Sequence, residues 1–175
     1  MRRLMLLRHA KSDWSTTGAR DQDRALNRRG REAMPRIAAY MARNALVPDR
    51  VMCSTAKRAR ETFDLLAAEL PTKPPTDFDE RLYMAEPEAI LELVREVPRT
   101  VHSLLVIGHN PGLQQAALLL IASGDVDTRE RLHEKFPTAG LVVIDIAADD
   151  WRKTHAHGGR LDRFITPELL AEGTD

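Results

Sequence analysis

The stretch LMLLRHAKS (Leu4–Ser12) sets an uninterrupted apolar run directly against an arginine and a histidine. Four consecutive apolar residues bounded by arginines predict a short buried strand. Arg8 is permanently charged and His9 titrates near neutral pH, so the strand presents a fixed cation beside a switchable base. Neighbouring side chains on a strand point to opposite faces. Arg8 and His9 can share one pocket only if extended geometry stops at Leu7 or Arg8, and the strand is expected to end there.

Residues 9–27 are polar and aperiodic, a long loop of the kind that often carries function. From Arg28 to Asn44 the apolar residues Ala33, Met34, Ile37, Ala38 and Met41 form a helical stripe. Pro35 interrupts it, which predicts a kink or a restart. RVMCS (Arg50–Ser54) is a second short strand, and Thr55–Leu70 a helix with Ser54 as its N-cap. PTKPPTD is a stiff connector, followed by a helix over Pro87–Val97. SLLVIG (Ser103–Gly108) is a third buried strand. Asn110 can cap the next helix, with Pro111 at its first position, running to about Ala122. In the tail, GLVVIDI, DWRKTHA and RLDRFI are strand-like. Strands alternating with helices, then a β-rich end, indicate an α/β fold with a mixed sheet. No linker splits the chain, so residues 1–175 are expected to form one domain.

The 175 residues suit one sizeable core, with 43% apolar and 30% charged residues. Lysine plus arginine equals aspartate plus glutamate at 26 each, a balance unlike that of a nucleic-acid binder. Cys53 is the one cysteine, which excludes an internal disulfide and a cysteine zinc cluster. The apolar run after Met-Arg-Arg is too short for a signal-peptide core, and Leu104–Ala122 is broken by GHNPGLQQ. No membrane association is expected, and the cytoplasm is the expected location.

In open α/β sheets ligands collect at the carboxyl ends of strands. Here the first strand ends in Arg8-His9, the second in Ser54 with Arg58 in the next helix, and the third in Gly108-His109. If these strands are parallel neighbours, two arginines, two histidines and two helix N-termini converge. Helix N-termini attract anions, and guanidinium forks match phosphate oxygens. That combination suits a dianion such as a phosphoryl group.

LLRHAKS resembles the arginine–histidine signature of the histidine phosphatase superfamily. CSTAKRARET is similar to its Ser-x-x-x-Arg-Ala-x-x-Thr element, and VIGHNPGL to its second-histidine motif. DRALNRRGRE, DERLYM, FPTAGLVVID and the compact length resemble its SixA-type branch of phosphohistidine phosphatases. The resemblance runs from end to end of the chain. It implies a phosphoglycerate mutase-like, three-layer α/β/α sandwich with a mostly parallel mixed sheet. It also implies that His9 is a nucleophile forming a phosphohistidine that water hydrolyses, with Arg8, Arg58 and His109 gripping the phosphoryl oxygens. Ser12 would add a donor, and neither a metal nor another cofactor is implied. Ester-cleaving relatives protonate the leaving oxygen with a carboxylic acid; the candidate here is Glu80, with Asp79 beside it. The implied partner is a phosphoprotein carrying phosphohistidine. A phosphatase of small phosphate esters and a non-catalytic phosphate-binding protein are the alternatives.

Several residues have two readings. Asp21 and Arg24 either face substrate or form an ion pair pinning the loop. Lys57 and Arg60 read as solvated helix charges. Thiolate phosphatases place arginine six residues after the cysteine; that position from Cys53 is Ala59, so Cys53 reads as a small buried hydrophobe. His155 and His157 alternate like a same-face strand pair, but without a third metal ligand a surface strand is the better reading.

Overall fold

The strand carrying Arg8 lies at the centre of one mixed sheet. The computed structural model describes residues 1–173. Among them seven strands form the sheet: β1 (Arg2–Arg8), β2 (Arg50–Cys53), β3 (Thr76–Phe78), β4 (Ser103–Gly108), β5 (Ile121–Gly124), β6 (Leu141–Ile146) and β7 (Gly159–Ile165). Their spatial order is β3-β2-β4-β1-β6-β7-β5. β1, β4, β2 and β3 pair in parallel, β6 runs antiparallel to both β1 and β7, and β5 pairs in parallel with β7. The helices are α1 (Arg28–Arg43), α2 (Lys57–Glu69), α3 (Pro87–Arg95), α4 (Gly112–Leu120), α5 (Val126–Glu134) and α6 (Pro167–Ala171).

The alternation of β1 assigns the layers. Met5 and Leu7 pack into a core with Met34, Ile37 and Met41 of α1 and Phe63 and Leu66 of α2. Leu4 and Leu6 face the other way, against Leu91 and Val94 of α3 and Leu113 and Ala117 of α4. This is the expected three-layer sandwich. All four apolar side chains of β1 are fully buried, each worth roughly 1.5–3 kcal/mol. β1 ends at Arg8, as the shared-pocket argument required.

The segments that depart from the sequence reading have local causes. α1 runs through Pro35 without a restart. The carbonyl that Pro35 cannot bond belongs to Arg31, an exposed residue that water reaches, while buried Met34 and Ile37 hold the helix down. Ser54 does not cap α2; the helix starts at Lys57, with Ala56 at the cap position. The stiff connector ends in the three-residue edge strand β3. α4 stops at Leu120, and the chain passes straight into β5 through an unbroken apolar run that hides the boundary. Pro111 precedes this helix, and the Asn110 side chain accepts from Gln114 N–H at 3.2 Å. α5 was not foreseen: only Leu132 of it is buried, so it shows no apolar stripe. DWRKTHA forms a 3-10 turn at Trp151–Lys153 instead of a strand. There Asp150 accepts from Arg152 N–H at 2.9 Å, Thr154 Oγ1 donates to Trp151 O at 2.6 Å, and buried Trp151 donates to Val101 O at 2.7 Å. These side-chain bonds outcompete extended pairing. His155 and His157 consequently sit in a turn, and no group of three or more metal-ligating side chains exists among the described residues. No helix among those residues is long and apolar enough to cross a membrane.

Candidate active site

The sheet order β2-β4-β1 sets the three motif-bearing strand ends side by side. Arg8 stands beside Gly108 in the parallel register, and Cys53 beside Ile107. Beyond these ends a cavity of about 420 Å³ opens, lined by Arg8, His9, Ser12, Arg24, Arg58 and His109 among others. The structure therefore gathers six of the seven expected site residues.

His9 is fixed through its backbone and its ring. Its N–H donates to Gly108 O at 3.1 Å, and its carbonyl accepts from Ala139 N–H at 3.1 Å. The next amide, Ala10 N–H, donates to Thr62 Oγ1 at 2.9 Å, and Thr62 Oγ1 donates to Arg58 O at 2.7 Å. The threonine four residues after Arg58 thus staples α2 to the loop after His9. Gly30 lets α1 approach the same loop, where a Cβ would stand 2.2 Å from Lys11 O. The His9 ring contacts Ala10 O through Nδ1 at 2.7 Å. A carbonyl only accepts, so Nδ1 carries the proton and Nε2 keeps its lone pair. Burial pushes the His9 pKa down to about 3, aided by His109, Arg58 and Arg8. The ring is neutral at pH 7, as a nitrogen nucleophile must be.

The cations around it are only partly matched. Arg8 donates through Nη1 to Phe136 O at 3.1 Å, while its Nε is buried without a partner. Burial, then Arg58, lowers the Arg8 pKa. Arg58 Nε reaches His9 Nε2 at 3.4 Å, and its Nη atoms donate to Asp21 O (2.7 Å) and Asp21 Oδ2 (3.0 Å). His109 lies with its ring centroid 5.1 Å from that of His9. Its Nε2 meets Ser54 Oγ at 2.7 Å, and Nδ1 is buried without a partner. Ser54 Oγ accepts from Ala56 N–H at 3.3 Å and carries a hydroxyl proton that Nε2 can accept. In that arrangement Nδ1 carries an unspent N–H. Burial, then Arg58, pushes the His109 pKa down to about 4. Unspent buried donors beside two guanidinium groups form a receptor for an anion with several oxygens.

Asp21 and Arg24 are brought to the rim of the same cavity. They form an ion pair at 3.0 Å, and both line the cavity. Arg24 also donates to Ser12 Oγ at 2.9 Å and lies 3.4 Å from the Trp14 ring centroid. The Tyr83 hydroxyl donates to Asp21 Oδ2. That bond, with Arg58 and Arg24, holds the Asp21 carboxyl down at about 2.

Glu80 is the expected site residue that the structure does not bring in. It is exposed in a 3-10 turn and does not line the cavity. Asp79 is tied to Arg81 at 2.8 Å, which also bridges to Glu96 at 3.1 Å. The turn spends both positions on the surface because Asp79 caps it through Arg81 N–H. Cys53 is buried, and burial raises its thiol pKa. Trp14, Lys135 and Thr138 line the cavity without having been singled out, as does Met84. Tyr83, beside them, packs its ring 5.4 Å from that of His109. No spacing signals these contacts, since Tyr83 and Asp21 are 62 residues apart.

Comparison with known proteins agrees with this geometry. The model of the histidine phosphatase superfamily (branch 1) matches residues 4–86. An uncharacterized protein from Mycobacterium leprae is 32% identical over 165 residues, covering 92% of this chain and 99% of the relative. The crystal structure of a candidate phosphohistidine phosphatase SixA from Agrobacterium tumefaciens superposes with a TM-score of 0.80 at 31% identity, covering 95% of this chain and 98% of that one. A similar SixA candidate from Nakamurella multipartitia gives a TM-score of 0.81 at 26% identity, covering 95% and 96%.

Proposed function

The chain belongs to the histidine phosphatase superfamily, and we propose that it removes the phosphoryl group from a phosphohistidine on a protein, through a covalent phosphohistidine on His9. The family and the SixA-like fold support a histidine-based phosphatase. In the proposed first step the His9 Nε2 lone pair attacks phosphorus. The substrate P–N bond breaks with its electron pair going to the substrate ring nitrogen. A substrate imidazole protonated by solvent on its distal nitrogen departs neutral. In the second step water attacks phosphorus, the His9 N–P bond breaks, and inorganic phosphate leaves with the water proton released. Arg8, Arg58 and the His109 Nδ1–H hold the non-bridging oxygens as charge redistributes, with Ser12 and Arg24 closing one side. These donors are set in place before reaction, so little reorganisation is needed.

The observation that carries the choice of substrate is the state of the carboxylates. Among the described residues, Asp21 is the one carboxylate lining the cavity. Its pKa of about 2 keeps it ionised at neutral pH, bound to Arg58, Arg24 and the Tyr83 hydroxyl. An ionised, saturated carboxylate cannot protonate an ester's leaving oxygen, whereas a phosphoramidate needs no such acid.

The deciding experiment compares kcat/KM on a histidine-phosphorylated protein with a panel of phosphate monoesters. Phosphohistidine is expected to be the better substrate. A preference for esters of ~10²-fold, about 2.7 kcal/mol in barrier, would overturn the proposal.

A further inference from the structure

A second cavity of about 600 Å³ adjoins the active-site cavity, and Lys11, Lys135, Pro137 and Thr138 line both. Past this shared wall it is lined by Arg29 and Arg36 of α1 and by the start of α6. Among the described residues, Lys11, Lys135, Arg29 and Arg36 make no ion pair. Two carboxylates line the same groove. Glu32 is bound to Arg28 at 2.9 Å, and Glu168 alone is left to face four cations. Several exposed arginines elsewhere are matched, among them Arg50 with Asp77, Arg81 with Asp79 and Glu96, and Arg152 with Asp150. In a chain with equal numbers of acidic and basic residues, four cations without an ion pair thus line one track leading to His9.

Helix stability does not explain that charge. Arg29 stands in the first turn of α1, which holds no acidic residue. The macrodipole there disfavours a cation. The active-site cavity is also lined by Trp14 and Met84, two of the five exposed large apolar side chains, at 77% and 48% exposure. Aromatic, methionine and arginine side chains around an opening are the composition of a protein-binding surface.

We propose that this basic groove is a docking track for an acidic segment of the protein whose phosphorylated histidine enters the active site. The proposal rests on the function proposed above and adds the charge of the partner. Attraction between the groove and a run of carboxylates would lower KM and raise the encounter rate, and would weaken with salt.

The test uses four synthetic peptides. Two carry phosphohistidine and two phosphoserine, and each pair differs only in a flank of four glutamates or four glutamines. For wild type, kcat/KM on the acidic phosphohistidine peptide should exceed that on the neutral one by about tenfold, or about 1.4 kcal/mol. The gain should lie in KM and shrink as salt rises. R29E/R36E should erase it, leaving the neutral peptide and free N-phosphohistidine hydrolysed as before, because neither arginine lines the active-site cavity. Equal rates on both flanks, or a preference that survives R29E/R36E, would overturn the docking track while leaving the phosphohistidine reading intact. Cleavage confined to the phosphoserine pair, still with the acidic preference, would overturn that reading and keep the track. Refusal of all four peptides would overturn both. Inhibition by tripolyphosphate far stronger than by phosphate, and lost in R29E/R36E, would assign the groove to a small polyanion and overturn the protein partner.

Discussion

β1 holds an arginine at each end, Arg2 buried and Arg8 half-buried, and the two are used in opposite ways. At the N-terminal end, Arg2 donates through Nη2 to the carbonyls of Arg99 (2.9 Å) and Asp149 (2.7 Å) and meets His102 Nδ1 through Nη1 at 3.0 Å. It pins loops to the sheet. At the C-terminal end, the Arg8 side chain makes one hydrogen bond, to Phe136 O, and otherwise faces the cavity it shares with Arg58. Each has a buried Nε without a partner, so an orphaned atom does not distinguish them. The difference lies in the company: carbonyls close the fork of Arg2, whereas a second guanidinium and two neutral imidazoles surround Arg8. Arg8 has no carboxylate partner of its own, and like charges packed together are costly in a fold that binds nothing. One end of the strand is thus built to be complete, the other to be completed by an anion.

The contrast is tested most severely by His9→Ala. Turnover should fall by roughly 10³-fold or more, about 4 kcal/mol in barrier, while vanadate affinity by titration stays within a few-fold. Residual hydrolysis near the wild-type rate would remove His9 from the mechanism. Arg8→Gln should lower kcat/KM by roughly 10²–10³-fold, the usual cost of losing one donor to a developing charge. Its unfolding midpoint without ligand should hold or rise, because a cation–cation contact is relieved. Arg2→Gln should do the reverse, losing roughly 1.5–3 kcal/mol in urea unfolding with kcat/KM per folded molecule unchanged. Similar kinetic losses in the Arg2 and Arg8 variants would collapse the distinction between the two ends.

pH sharpens the same comparison. His9 and His109 have pKa values pushed down to about 3 and about 4, against roughly 6.5 in the unfolded chain. Between these values the unfolded state binds more protons than the native state. Stability is therefore complete above about pH 6.5 and is lost as pH falls, at up to about 1.4 kcal/mol per pH unit for each histidine. From about pH 6.5 to about 5.5 the loss should be on the order of 2 kcal/mol, measured by urea unfolding at each pH. His9→Asn and His109→Gln should each flatten the slope by about half. An unaltered slope in both variants would place the acid sensitivity outside the site.

What the sequence made legible follows from the range of the interactions involved. The three strand ends were readable because apolar runs and the charged residues after them are contiguous, and β1, β2 and β4 deliver His9, Arg58 and His109 to one cavity. Thr62 was readable as the threonine of the CSTAKRARET element, though not as the staple to Ala10. Asp21 and Tyr83 were not readable as a pair, since a hydroxyl–carboxylate contact spanning 62 residues leaves no periodicity. Ser54 was misread as a cap because a serine before a helix and a serine against a histidine look alike until β4 is placed beside β2. α5 escaped because one buried leucine makes no stripe. The groove beside the active site was invisible for the same reason as the Asp21–Tyr83 pair: α1, the loop before β6 and α6 meet only in the folded chain.

Glu80 is the point at which motif and geometry give different answers, and it supplies the smallest expected effect. By position in DERLYM it would be the proton donor; by placement it is exposed and outside the cavity. Its neighbour Asp79 resembles Arg2, a charged group whose partners, Arg81 and the turn's own backbone, already close it. Glu80→Gln should change turnover of phosphohistidine and of phosphate monoesters by less than about twofold, under about 0.4 kcal/mol. A loss of tenfold or more confined to esters would mean that the turn rearranges to carry the carboxyl inward during the reaction. The cavity would then hold a second carboxylate able to exist as an acid, and the case for a phosphoramidate substrate would lose its support. An equally small effect on both substrates leaves Asp21, ionised and saturated, as the carboxylate that the leaving group meets.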